Sequence, residues 1–144
     1  MNEQIDRIVE TFEFFEDWDD RYNYMAELGQ KLPAFPEADH LDDNKVHGCV
    51  SQVWITVRSQ EQGGKVVLQF QGDSDTAIIK GIVAILLSIY SGKTAEQALE
   101  VDVDAIFERL GIFDHLSPNR HVGVYAMVEK FRALAGGERA RLAA

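Results

Sequence analysis

Residues 45–56, KVHGCVSQVWIT, pass from turn chemistry straight into a strand and hold the one cysteine of the chain. Gly48 lets the backbone take positive φ or approach a neighbour closely. After it, Val50, Val53, Trp54, Ile55, Thr56 and Val57 favour extended structure. Val53, Ile55 and Val57 alternate with Trp54, Thr56 and Arg58, and farther on Val66, Leu68 and Phe70 alternate with Val67, Gln69 and Gln71. That period of two, interrupted by Gln62, Gly63 and Gly64, predicts a β-hairpin. With residues 45–47 as a short neighbouring strand, a three-stranded antiparallel sheet is expected, with the Cys49 loop at its edge.

The flanking sequence reads as helix. Ile5, Ile8, Val9, Phe12 and Phe15 recur at spacings of three and four, which predicts an amphipathic helix over residues 2–15. Asp19 or Asp20 is suited to cap a second helix reaching Lys31, with Tyr22, Met25, Ala26 and Leu28 inward and Trp18 anchoring the two helices together. Pro33, Pro36 and the acidic run after them predict an exposed, movable connection leading to the cysteine. Residues 76–90 carry one charge, Lys80, and are otherwise almost wholly apolar, so this helix must be buried. It is too short to span a membrane, which takes about 20 residues.

Thr94 with Gln97 forms a capping-box pattern, residues 104–110 offer another turn or two, and Pro118 suits the first turn of a last helix. Val124, Met127, Val128, Phe131 and Leu134 share a face of that helix, and residues 135–144 read as a frayed tail. The expectation is one α+β domain over residues 1–144, its helices covering one face of the sheet.

Fourteen Lys and Arg stand against 24 Asp and Glu, a net charge of −10. Such a surface repels phosphate backbones and anionic membranes and favours a partner protein with a basic rim, so neither nucleic acid nor membrane is an expected ligand. One cysteine cannot form an internal disulfide, which suits a reducing compartment, and the start MNEQIDRIVE lacks the pattern of a secretory signal. The expected location is cytoplasmic.

The reactive form of a cysteine is the thiolate. Lys45 and His47 precede Cys49, and strand alternation puts all three on one side, where a cation favours the thiolate; the plainer alternative is that both point to water. Cys49 with His40, His47, His115 and His121 has neither a Cys-x-x-Cys pair nor tight histidine spacing, so no metal site is expected, and His115 and His121 suit capping or surface hydrogen bonds. Gly72, Asp73, Ser74 and Asp75 lack the lysine and glycine spacing of a phosphate loop. Neither papain-like nor caspase-like cysteine signatures occur. Asp75 and Arg120 fall near helix starts, as caps or surface ion pairs do.

Val46, Gly48, Cys49, Ser51, Gln52, Val53 and Trp54 resemble the Val-x-Gly-Cys-x-Ser-x-Val-Trp signature of the SufE family, sulfur-acceptor proteins that work beside cysteine desulfurases. Gly72, Asp73, Ser74, Asp75, Lys80 and Gly81 are similar to a second block of that family. His115, Leu116, Ser117, Pro118, Arg120 and Gly123 resemble its C-terminal block, and Arg21, Tyr22, Leu28, Gly29, Leu32 and Pro33 its N-terminal one. The resemblance implies a SufE-like fold and a sulfur carrier. Cys49 would take persulfide sulfur from a pyridoxal-phosphate-dependent, SufS- or CsdA-like desulfurase, stimulate that enzyme and deliver the sulfur to a SufBCD-like iron–sulfur scaffold. It also implies partner contacts at Asp75 and Arg120, beside Lys45 and His47, and no cofactor in this chain. CsdE-like transfer to another acceptor, a stand-alone cysteine enzyme and a non-catalytic interaction module are the alternatives.

Overall fold

The computed structural model describes residues 3–49 and 51–143. Asn2, Val50 and Ala144, assigned above to the first helix, the strand and the tail, lie outside the described residues. In chain order the elements are α1 (Glu3–Phe14), α2 (Trp18–Gln30), 3-10 turns at Glu37–Asp39 and Asp42–Asn44, β1 (Val53–Gln62) and β2 (Lys65–Ser74). They continue with α3 (Ala77–Tyr90), α4 (Ala95–Leu99), α5 (Val103–Leu110), a 3-10 turn at Phe113–His115 and α6 (Pro118–Ala143).

The strands form an antiparallel hairpin whose register runs from Val53↔Ser74 to Gln62↔Lys65. The sheet among the described residues has two strands, not three. Lys45 makes a single antiparallel bridge to Trp54, with the Val46 amide donating to the Val53 carbonyl at 2.8 Å. The chain then turns through His47 and Gly48, where φ reaches +96°, and a ladder cannot continue through that conformation.

One face of the hairpin, with Val53, Ile55, Leu68 and Phe70, is buried, and α3 packs on β2 while α6 packs on β1. The other face carries Thr56, Arg58, Gln69 and Gln71. Helix α3 is the centre of the core, with Ile79, Ile82, Val83, Ile85, Leu86 and Ile89 buried. Helices α2 and α3 cross with their backbones nearly touching: a Cβ placed on Gly81 would lie 2.2 Å from the Met25 carbonyl oxygen. Only a residue without a side chain permits that crossing.

Helix α1 buries Ile5, Ile8, Val9 and Phe12, the stripe that the periodicity marks. The cap of α2 is Asp17 rather than Asp19 or Asp20: its Oδ1 accepts the Asp19 and Asp20 amides at 2.7 and 3.4 Å. Trp18 meets Phe12 edge-on and also stacks on His115 at 3.8 Å, joining the N-terminal helices to the segment before α6. The Thr94–Gln97 capping box forms as expected. Helix α6 continues to Ala143 through the segment read as a frayed tail, and Ser59 Oγ of β1 donates to Glu138 Oε2 at 2.5 Å.

Candidate functional site

Cys49 is half-buried and follows directly on the turn at Gly48. The loop after it is clamped to the junction of β2 and α3. The Gln52 amide donates to Asp75 Oδ1 at 3.1 Å, the Asp75 amide donates back to the Gln52 carbonyl at 3.3 Å, and Thr76 Oγ1 lies 2.9 Å from Ser51 Oγ. On its other side the loop rests on α6. A Cβ on Gly123 would sit 2.9 Å from Cys49 Sγ, and one on Gly48 would meet Ala126 Cβ at 3.4 Å. The sulfur therefore occupies a seat that exists because position 123 lacks a side chain.

A cavity of about 200 Å³ is lined by Cys49 and Ser51 of the loop, Ile79 of α3, and Ser117, Asn119 and Arg120 at and just before the start of α6. Two of the sequence-predicted residues, Cys49 and Arg120, thus share one cavity although 71 positions separate them (120 − 49). Asp75 does not line it; its carboxylate fixes the loop through Gln52 and acts on the thiol through its charge. Lys45 and His47 do not line it either, Lys45 being held in the bridge to Trp54 and His47 exposed at the turn.

Burial pushes the Cys49 thiol above its ordinary range and the Asp75 charge pushes the same way, against a backbone hydrogen bond at Ser51 that favours the thiolate. No cation enters this balance. The help expected from Lys45 and His47 is missing because alternation does not carry across Gly48: the backbone turns before it reaches the cysteine. The resting thiol is protonated and sheltered.

The connection before the cysteine makes contacts with β1, β2 and α6. His40 Nε2 lies 2.8 Å from Asp73 Oδ2 and its ring meets Trp54 edge-on at 4.5 Å, while Lys80 Nζ reaches Asp73 Oδ1 at 3.3 Å. Burial alone would raise the Asp73 carboxyl, but the His40 hydrogen bond, the Ser74 amide and Lys80 together hold it below the usual range. The same His40–Asp73 hydrogen bond raises His40 above its ordinary value despite partial desolvation. Lys130 Nζ of α6 donates to the Asp43 carbonyl at 2.8 Å, a second tether. His115 stacks on Trp18, and His121 hydrogen-bonds the Phe113 carbonyl. Among the described residues no group of three or more His, Cys, Asp or Glu is arranged to hold a metal ion.

Gly123 as the sulfur's seat, with Ile79, Ser117 and Asn119 as walls, escaped the sequence reading of roles. One local signal was present: a glycine inside an apolar helix face costs about 1 kcal/mol against alanine and needs a reason.

A family model described as the SufE Fe-S metabolism associated domain matches residues 6–135. The chain belongs to the SufE family. That membership associates it with iron–sulfur metabolism. An uncharacterised SufE-like protein of Rhizobium meliloti (strain 1021) is 40% identical over 133 residues, covering 92% of this chain and 95% of the relative. A second SufE-like protein, from Rhizobium etli, is 41% identical over 128 residues, 89% of this chain and 86% of that one. The solution structure of a hypothetical protein from Thermus thermophilus superposes with a TM-score of 0.68 at 24% identity, covering 97% of this chain and 96% of that one, and it supports the fold alone. Within this SufE-family fold, α3 and α6 meet the cysteine loop from two sides, through Ile79 and through Arg120 with Gly123. None of the described helices is long and apolar enough to cross a membrane.

Proposed function

We propose that this SufE-family chain is a sulfur acceptor and carrier that works in the cytoplasm with a pyridoxal-phosphate-dependent cysteine desulfurase. The Cys49 thiolate attacks the terminal sulfur of a persulfide on the desulfurase's cysteine. A sulfur–sulfur bond forms at Cys49, the one on the enzyme breaks, and the enzyme cysteine leaves as a thiolate; one thiol and one persulfide exchange places with no net oxidation. The loaded Cys49 then passes its sulfur to an iron–sulfur cluster scaffold.

The observation that carries this reading is the seat of the thiol. It lines a cavity together with Arg120, mounted on a loop that Asp75 clamps and Gly123 accommodates. A thiol that burial keeps protonated is slow toward small oxidants and reacts once a docked partner draws it out, because the thiolate is the nucleophile. Arg120 lines the same cavity, and on this reading its guanidinium orients the incoming group. A stand-alone cysteine hydrolase would need a base beside the thiol, and no histidine acts on Cys49 among the described residues.

The test is incubation with a SufS-type or a CsdA-type desulfurase and cysteine, followed by mass spectrometry. The Cys49 peptide should gain the mass of one sulfur atom and desulfurase turnover should rise. Arg120→Ala should retain the fold, since removing an exposed arginine costs little stability, and should need more acceptor for the same stimulation. Undiminished stimulation by Cys49→Ser would overturn the acceptor role.

A further inference from the structure

A second cavity, of about 250 Å³, opens between α1, α3 and α5 and shares no residue with the cysteine cavity. Its walls are Ile5, Ile89, Val101 and Ile106, with the half-buried Lys93 as the one cation in the lining. Ile79 and Ile89 stand ten positions apart on α3 (89 − 79), so the two cavities meet this helix about 15 Å apart.

Lys93 is held rigidly. Its carbonyl accepts the Leu68 amide of β2 at 2.7 Å, and its ammonium donates to the Ile89 carbonyl at the end of α3. That bond uses one of the three donors of an ammonium. Burial lowers the Lys93 pKa, and no carboxylate acts to restore it. The acidic group in the same lining, Asp102, is engaged elsewhere: its Oδ1 accepts the Ala105 amide at 3.2 Å and caps α5. Lys93 makes no ion pair with that carboxylate, and a cation desolvated in a largely apolar pocket without an ion-pair partner is a charge awaiting a counter-charge.

We infer that this cavity is a binding site for a small amphipathic carboxylate, whose aliphatic chain lies against Ile5, Ile89, Val101 and Ile106 and whose carboxylate pairs with Lys93. An apolar cavity of about 150 Å³ is enough for benzene, so this volume accommodates a short-chain fatty acid such as hexanoate. The charge supplies selectivity, because an uncharged chain of equal length gains the apolar contact and leaves the ammonium unpaired.

The experiment titrates the full chain with hexanoate, and in parallel with hexanol and hexylamine, following backbone amide shifts by NMR. Hexanoate should give saturable shifts centred on Ile5, Val101 and Ile106, with hexanol binding at least about tenfold more weakly and hexylamine giving none, as loss of a charged hydrogen bond implies. Lys93→Met should weaken hexanoate by a similar factor without changing hexanol, and Lys93→Arg should keep most of the affinity. Equal binding of hexanoate and hexanol would overturn the assignment, as would hexanoate affinity unchanged in Lys93→Met or an absence of saturable shifts. Were Lys93→Met to unfold, the comparison of the three probes on the wild-type chain would still decide.

Discussion

Replacing Gly123 by alanine sets two effects against each other on α6. Alanine is the better helix former by about 0.8–1 kcal/mol. Its Cβ, however, would stand 2.9 Å from Cys49 Sγ, but 3.7 Å from Cys49 Cβ and 3.8 Å from its Cα. Only the sulfur is too close, and it is the free end of a side chain, so rotation about χ1 relieves the contact at about 0.5–1.5 kcal/mol if the new angle is imperfect. The net change in stability is therefore within about 1 kcal/mol, a melting shift of at most about 4 °C for a chain of this size. The thiol changes far more. Burial is the main cause of its raised pKa, and each unit recovered multiplies the thiolate fraction near neutral pH about tenfold. Alkylation of Cys49 by iodoacetamide at about pH 7, followed by intact mass, should accelerate by about three- to tenfold in Gly123→Ala. A folded variant alkylated no faster than wild type would refute the argument, because the sulfur would then owe its burial to something other than the gap at Gly123.

The His40–Asp73 bond gives a pH signature. His40 is raised above 6.5, so its contribution is complete below that value and is lost as pH rises through the folded pKa. Asp73 is lowered below 3.8, so its contribution is complete above that value and is lost as pH falls through the folded pKa. The stability deficit of His40→Ala by urea titration should thus be largest near about pH 5–6 and shrink by about pH 8.5; a deficit independent of pH would remove this pair from the account. Asp75→Asn keeps an oxygen for the Gln52 amide while removing the charge that raises the thiol, so alkylation should quicken with the fold intact. An unchanged rate would show that the Asp75 charge does not reach the sulfur. Gly81→Ala drives a methyl into the Met25 carbonyl, backbone that cannot step aside, and should cost about 1–3 kcal/mol or more in denaturant unfolding, where a neutral result would contradict the close crossing of α2 and α3.

Much of the scaffold is legible in residue patterns because it is built from local periodicity. Ile5, Ile8, Val9 and Phe12 announce the buried stripe of α1, and the alternation on either side of Gly63 and Gly64 announces the hairpin. The third strand misled because three residues satisfy an alternation rule by chance, whereas pairing there ends at one bridge when Gly48 leaves the extended region. The cap of α2 was ambiguous for a different reason. Asp17, Asp19 and Asp20 all have capping chemistry, and only the backbone, extended at Asp17 and helical after it, selects among them. At the site the sequence pointed to the thiol through its uniqueness and through family resemblance. The cavity was illegible, since Ile79, Ser117 and Asn119 come to Cys49 through the packing of α3 and α6 rather than through any spacing along the chain.

That Cys49 is the sole thiol has a consequence for how long a cargo stays aboard. In a chain with two cysteines, the neighbour can attack a persulfide, close a disulfide and expel sulfide into solution. This sequence has no resolving thiol, so on the acceptor reading the loaded chain cannot discharge itself. The lifetime of the cargo is then set from outside, by the arrival of a nucleophile able to reach into the recess beside Gly123. On the same reading each chain loads at a single atom, and the traffic it supports is counted in encounters rather than in turnovers.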